Sequence, residues 1–517
     1  MEKSRYKLEI YYAGTKDSLE KIDDSNNVLM NDPLRVLKIR NLPTPFKALP
    51  ENSFMVASVF EDLKGRWNKE AIAQLVHHEL GPLCDGIEGP IWSDITVMVA
   101  GEADGGCAAA SHLLDCAVLT NDSDLLLYDL GRHGSVIFLD SVEMKKQNTQ
   151  VPTAAEIRAM SLCPSLLSSR LGISDIKRFA YELKKNPRES LAVLLQRSKH
   201  PASIVNANPA YRHFLKEYQL DAEKQDIMLL EQEQPQTLDN RVSEIFWQFK
   251  AFDGSSEHMP RMYLPIINED PSRKCAWEDG RSYRTIGYSL LNASRQANAR
   301  FSSVDEYTRK GARIVPSRIA LLDEHQVELE LIAFSMRVDT IKRVHLGNTT
   351  SVQFWRSFAL AEIYGQAINK AKNPRPAQLK QFIREGYLEE ELDWPSVHLS
   401  ARVQAIFYSL RILKQLLGVI KIDQTVMNVA ASTLAGLPPL HLLMMSRREM
   451  AQRYTSCSTD YEDFFHQILD SSSESEDPQQ TQIFNQLQGN AEKAIEHRLG
   501  DGTGSRSSNI YDILMEY

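Results

Sequence analysis

Four carboxylates set the question. Glu102 and Asp104 stand in "VMVAGEADGGCAAASHLLDC", and Asp122 and Asp124 in "AVLTNDSDLLLYDLG". The two tight acid pairs therefore lie twenty residues apart, each just beyond a short apolar run. Charge beside a core is costly unless something pairs with it. Four ionised groups within a few ångströms repel strongly at low dielectric, and divalent cations relieve that repulsion. Mg2+ or Mn2+ takes hard oxygen ligands and keeps waters that a substrate can displace. Two such ions roughly 4 Å apart can activate a water and stabilise the leaving oxygen in phosphodiester cleavage. The same residues also have a plainer reading, because a lone Asp-x-Asp after a strand is ordinarily an Asx turn or a helix N-cap. Repetition favours the site: both acid pairs follow apolar runs, and a small-residue helix joins them.

The elements that must position these acids follow from periodicity. "ITVMVA" (95–100) is short, apolar and β-branched, which predicts a buried strand. "DGGCAAASHLLDC" has the spacing of a helix, "AVLT" reads as a second strand, and "SVIFL" (135–139) as a third beyond Gly131 and Gly134. Strand, helix and strand with short connections predict a βαβ unit and a parallel sheet. In such a sheet the C-terminal strand ends share one crevice, so all four acids are expected at one edge.

Length and composition bound what surrounds that edge. The chain has 517 residues, 43% hydrophobic and 25% charged, with a formal net charge of −9. This fits a globular protein of two to four domains, with no global basic signal for nucleic acid. Cys84, Cys107, Cys116, Cys163, Cys275 and Cys457 lack CxxC or His-Cys spacing, so they read as reduced thiols rather than a zinc or disulfide framework. No run of eighteen apolar residues occurs, and "MEKSRYKLEI" lacks the apolar core of a signal peptide. The expected compartment is nuclear or cytoplasmic, with no membrane.

The acid-bearing stretch resembles the internal nuclease region of the XPG/flap-endonuclease superfamily, and its asteroid branch most nearly. "GEAD-x-x-CA", the twenty-residue interval and "VLTNDSDLLLYDLG" carry the resemblance. "MYLPIINEDPSRKCAWEDGRSYRTIGYSLL" (262–291), "EYTRKGARI" (306–314) and "HLSARVQAIFYSLRILKQLL" (398–417) resemble the C-terminal part of fungal asteroid-like proteins, extending it over most of 54–450. The resemblance implies a PIN-like α/β fold, N-terminally incomplete and followed by a mostly α-helical region. It further implies two Mg2+ or Mn2+ ions and phosphodiester hydrolysis of branched, flapped or overhanging DNA, in DNA repair. The family's central metal ligands would correspond to Glu102, Asp104, Asp122 and Asp124, and the nucleus is the compartment it favours.

The organisation expected on this basis has four parts. Residues 1–150 form a partial nuclease region and 151–235 its helical extension. A helical asteroid-type domain then occupies 236–455, and an acidic, serine-rich disordered tail 456–517. The family's two early strand-borne aspartates are not recognisable before Glu102. Asp85-Gly86 reads as a turn, and Met1 is expected to lie downstream of both missing acids. Nor is the later Gly-Cys-Asp-Tyr-like segment present, and Asp175 reads as a helix-start residue. An alternative therefore stands beside the enzyme: a catalytically inactive relative serving as a protein-interaction scaffold.

One further segment has a chemical flavour. Residues 260–318 carry 11 Lys/Arg against 6 Asp/Glu, with Trp277, Tyr283, Tyr288 and Tyr307 interleaved. Such a segment could contact a phosphate backbone. The preferred reading is a solvated helical surface with half-buried aromatics.

Overall fold

The computed structural model describes residues 53–65, 67, 92–99, 103–145, 156–199, 208–219, 235, 237–251, 259–311, 313–344, 349–365, 374–385, 394–420 and 425–444. The chain forms two compact units, one of 1–339 with 404–444 and one of 340–403 with 445–517. The fold is mixed α/β, with small sheets and many helices.

Helix α1 (Met55–Gly65) opens the first unit, and Ala57 and Phe60 are buried on one side of it. A single helical turn, α2 (Trp92–Ile95), follows. The run "ITVMVA" is therefore not the strand its composition predicts. Ile95 ends α2, whose Trp92 carbonyl accepts from the Thr96 amide at 3.0 Å and the Thr96 hydroxyl at 2.6 Å. Residues 96–99 form no strand among the described residues, and Ile95 and Val97 are largely exposed. β-propensity is a context-dependent preference that the surrounding chain can override. Val99 instead packs on Gly106 of α3 (Ala103–Leu114), where a Cβ would lie 3.2 Å from its methyl.

After α3 come β1 (Ala117–Thr120) and β2 (Ser135–Phe138), paired in parallel with Thr120 opposite Phe138. Between them Ser123–Leu127 forms a 3-10 helix, and Leu125, Leu126 and Leu127 point into the core. Two glycines make the return possible. Gly131 has φ +83°, and a Cβ on Gly134 would meet the Leu130 carbonyl. Strands β3 (Glu143–Lys145) and β4 (Glu156–Arg158) form a separate antiparallel ladder. β5 (Ser161–Leu162) adds antiparallel to β2, giving the order β1-β2-β5. The expected parallel sheet is thus, among the described residues, one parallel pair with an antiparallel neighbour.

Helices α4 (Pro164–Leu171), α5 (Ile176–Lys185), α6 (Leu191–Ser198) and α7 (Pro209–Glu217) follow. Together with the strands they close a core that includes Val136, Phe138, Phe179, Leu194, Tyr211 and Phe214. Asp175 is a helix-start residue, as its position suggests: its side chain accepts from the Lys177 amide at 2.9 Å. The helical extension expected from 151 also contains β4 and β5.

Helix α8 (Asn240–Ala251) begins the next layer. The mostly helical region expected from 236 also holds a three-stranded sheet, β6 (Arg261–Tyr263), β7 (Ser303–Lys310) and β8 (Arg313–Ala320), with α9 (Arg281–Ala293) between β6 and β7. β7 and β8 alternate in burial and join through a two-residue turn at Gly311, φ +62°. The solvated helical surface expected over 260–318 is corrected here. Trp277, Tyr283 and Tyr288 are core residues, and Tyr288 sits beneath β7 with its hydroxyl on Glu306.

The remaining helices are α10 (Glu324–Val344), α11 (Val352–Gly365), α12 (Pro376–Glu385), α13 (Trp394–Val419), α14 (Thr425–Ala435) and α15 (Leu440–Leu443). Helix α13 is buried on every side over residues 405–413. Its Arg411 reaches Glu61 of α1 at 2.5 Å and Asp239 at 3.3 Å. In the second unit Trp355 packs edge-on against Phe354 and Phe358, and Arg356 donates to the Ile383 carbonyl at 3.2 Å. No described helix is long and apolar enough to cross a membrane.

Candidate metal centre

The edge of the sheet is built by β1 and β2 running side by side. Their register brings the residues after Thr120 and after Phe138 to the same end. Asn121 and Asp140 meet there: the Asn121 amide donates to Asp140 Oδ1 at 3.0 Å, and the Asp140 N–H donates to Asn121 Oδ1 at 3.1 Å. This reciprocal pair ties the two strand ends together.

Asp122 and Asp124 sit on the turn that follows. The Asp122 amide donates to Thr120 Oγ1 at 3.0 Å, and Asp122 Oδ1 accepts from the Asp124 amide at 2.9 Å. Asp122 is therefore the N-cap of the 3-10 helix, which satisfies an otherwise orphaned donor. Three buried leucines immediately downstream pin the turn, so two carboxylates are held at a wet edge by an apolar anchor.

Asp124 is half-buried, and its Oδ2 accepts from the Tyr218 hydroxyl at 3.5 Å. Tyr218 follows α7 and rests edge-on against Tyr128, ring centroids 5.5 Å apart. Burial pushes the Tyr218 hydroxyl well above the ordinary tyrosine range, and the Asp124 charge pushes the same way. The phenol therefore stays a proton donor to the carboxylate at neutral pH.

Asp104 arrives from another element. It lies in the first turn of α3, where the helix dipole favours a carboxylate. Helix α3 has 12 residues, about 18 Å, and turns back at once into a four-residue strand of about 13 Å. Its N-terminus thus returns towards the end of β1 that carries Asp122. One turn on, burial raises the Cys107 thiol, with Asp104 adding to the shift, so that cysteine stays protonated.

Of the four acids expected from the sequence, the structure joins Asp122 and Asp124 on one turn and places Asp104 at the start of α3. Glu102 lies outside the described residues, as does Asp85-Gly86. The premise that both acid pairs follow strands holds for Asp122 and Asp124 only, because 96–99 is not a strand. Among the described residues no group of three or more His, Cys, Asp or Glu is gathered to hold a metal. Two carboxylates on a turn, with solvent at hand, suit one hydrated Mg2+ better than a protein-made cage. The described donor set does not by itself make a metal cage.

Sequence reasoning missed Asp140, Asn121 and Tyr218. Asp140 follows "SVIFL" much as Asp122 follows "AVLT", so a local signal existed. Tyr218, 94 residues from Asp124, had none.

A family model described as XPG domain containing matches residues 51–321, just over half of the chain. That span takes in the acid-bearing edge, helices α3 to α9 and the three-stranded sheet. No curated protein and no solved structure matches the chain.

Proposed function

The chain belongs to the XPG-domain family, which is of the structure-specific nuclease type, and from that premise we propose that it is an asteroid-type, Mg2+- or Mn2+-dependent DNA nuclease. The observation that carries the reading is the Asp122–Asp124 turn, fixed by its cap and three leucines at the C-terminal end of a parallel strand pair.

In this reading Asp122 and Asp124 hold a divalent ion, with Asp104 and Glu102 completing the set expected of the family. A bound ion would supply Lewis-acid activation of water and charge neutralisation at the leaving oxygen. The protein's own contribution is positional. Asp122 fixes Asp124 through the backbone amide, and Tyr218 orients one oxygen of Asp124 with a neutral donor. The substrate class is branched, flapped or overhanging DNA, the process DNA repair and the compartment the nucleus.

A second reading draws on a different feature of the same turn. Asp122 spends one oxygen on capping, and Asp124 already accepts from Tyr218, so both acids have structural work in the absence of metal. On that reading the module is a catalytically inactive interaction scaffold. The double substitution Asp122→Ala with Asp124→Ala separates the two. The nuclease reading expects loss of Mn2+-dependent cleavage of a flapped duplex, by at least about a hundredfold, with the melting transition kept. Equal cleavage by the double variant removes Asp122 and Asp124 from the site, and no cleavage by the parent chain with Mn2+ gives the case to the scaffold.

A further inference from the structure

The three-stranded sheet has one buried face and one that is open over part of its length, since the Arg309–Ile314 rung is buried. Met262, Val304, Glu306, Thr308 and Ile319 line the buried one. Register places two complete rungs on the other: Arg261–Asp305–Arg318 and Tyr263–Tyr307–Pro316. Arg261, Pro316 and Arg318 are exposed, and both tyrosines are half-buried. The tyrosine rings stack on each other, centroids 4.3 Å apart and planes 13° from parallel. Tyr307 lies between Tyr263 and Pro316 in its rung, so the ring face left for a further planar partner is the outer one of Tyr263.

The charge around this stack has one sign in excess. Arg318 spans towards Asp305 at 3.1 Å yet keeps 68% of its side chain exposed. Arg261 and Arg318 flank Asp305 in one rung of this face, two cations to one carboxylate. The basic, aromatic segment noticed in the sequence thus divides. Trp277, Tyr283 and Tyr288 went into the core, while Tyr307 joined Tyr263 on the surface.

We propose that this sheet face binds single-stranded DNA, with a base stacked on the Tyr263–Tyr307 pair and the adjacent phosphates met by Arg261 and Arg318. A single strand is favoured over duplex because only unpaired bases offer a free face to an aromatic platform. The two open rungs have room for one or two nucleotides, so the face adds to other contacts rather than gripping a long tract. The proposal rests on the nuclease reading only for the choice of DNA.

The test is fluorescence anisotropy of labelled oligo-dT with the full chain in EDTA, where no cleavage occurs. Tyr263→Ala with Tyr307→Ala is expected to weaken binding at least about tenfold. Tyr263→Phe with Tyr307→Phe, which keeps the rings, should bind within about twofold of the parent. Unchanged affinity of the alanine pair, stronger binding of oligo-U RNA, or equal competition by duplex overturns the proposal. Should the alanine pair fail to fold, photocrosslinking of 5-bromodeoxyuridine DNA to the native chain decides. Attachment to the peptides holding Tyr263 or Tyr307 supports the site, and attachment only elsewhere overturns it. Because binding is read without metal, the outcomes separate cleanly. Binding with no Mn2+-dependent cleavage removes the nuclease reading alone, and cleavage with unchanged binding by the alanine pair removes the sheet site alone.

Discussion

The sheet edge at Asp122 and the sheet core at Glu306 use the same residue types to opposite ends. At the edge, carboxylates are exposed or half-buried, and they accept from the Asp124 backbone amide, the Asn121 side-chain amide and a neutral tyrosine. In the core, Glu306 receives Arg284 Nε at 2.7 Å, Arg284 Nη2 at 2.9 Å and the Tyr288 hydroxyl at 2.9 Å, all fully buried. Arg284 goes on to Ser409 Oγ at 2.8 Å and the Trp277 carbonyl at 3.0 Å. Glu269 repeats the pattern with Arg309 Nε at 2.7 Å and the Ala276 amide at 2.7 Å. Burial opposes the Arg284 charge, yet Glu306 more than offsets it and holds the guanidinium above its ordinary pKa. Burial likewise pushes the neighbouring Cys275 thiol up to about 12, with Glu269 adding to it. A carboxylate saturated by arginine is committed to the fold, whereas Asp122 at the exposed edge accepts from the Asp124 backbone amide.

That contrast breaks if the two regions respond alike to substitution. The largest effect is expected from Arg284→Ala, which strands Glu306 in the core and should cost about 3–5 kcal/mol in denaturant unfolding. The paired change Arg284→Met with Glu306→Leu should recover most of that loss, because the cost lies in the unpaired charge. Asp122→Ala removes only a cap and should cost about 1 kcal/mol by the same measurement. If Asp122→Ala were the costlier of the two, the edge would be structural and the metal reading weakened.

The smallest effect sharpens the comparison from the side of pH. Burial, then the Asp175 charge, pushes the Tyr211 hydroxyl up to about 12. Its folded pKa lies above the unfolded value near 10, so its contribution is intact below about pH 10 and is lost as pH rises through 12. Tyr211→Phe should therefore flatten the alkaline fall of stability between those values, without changing the melting point at pH 7 by more than a few degrees. An unchanged alkaline limb in the variant would show that the phenol carries none of that pH dependence.

Local features were legible from the sequence wherever short-range chemistry decides. "AVLT", "SVIFL", the small-residue helix and the N-cap at Asp175 follow from patterning and capping, and all are present. The Asp-x-Asp signal was readable in both its senses, since Asp122 is at once a helix cap and an exposed carboxylate on a strand end. "ITVMVA" was misread because its β-branched residues state a context-dependent preference that the surrounding chain can override. Residues 260–318 were misread because charge and aromaticity do not say which face a residue will occupy.

By itself, then, the sequence determined the two acid pairs, their interval, the helix and strands around Asp122, and through its motifs the family. Tertiary structure alone decided which acids share a turn, that Tyr218 reaches Asp124 across 94 residues, and that Arg284 is spent on Glu306. It also decided that Tyr263 and Tyr307 stack on an open face while Trp277 does not. The physical reason is range. Turns, caps and periodicity are settled by neighbours within a few residues, whereas burial and pairing depend on what the rest of the chain brings alongside.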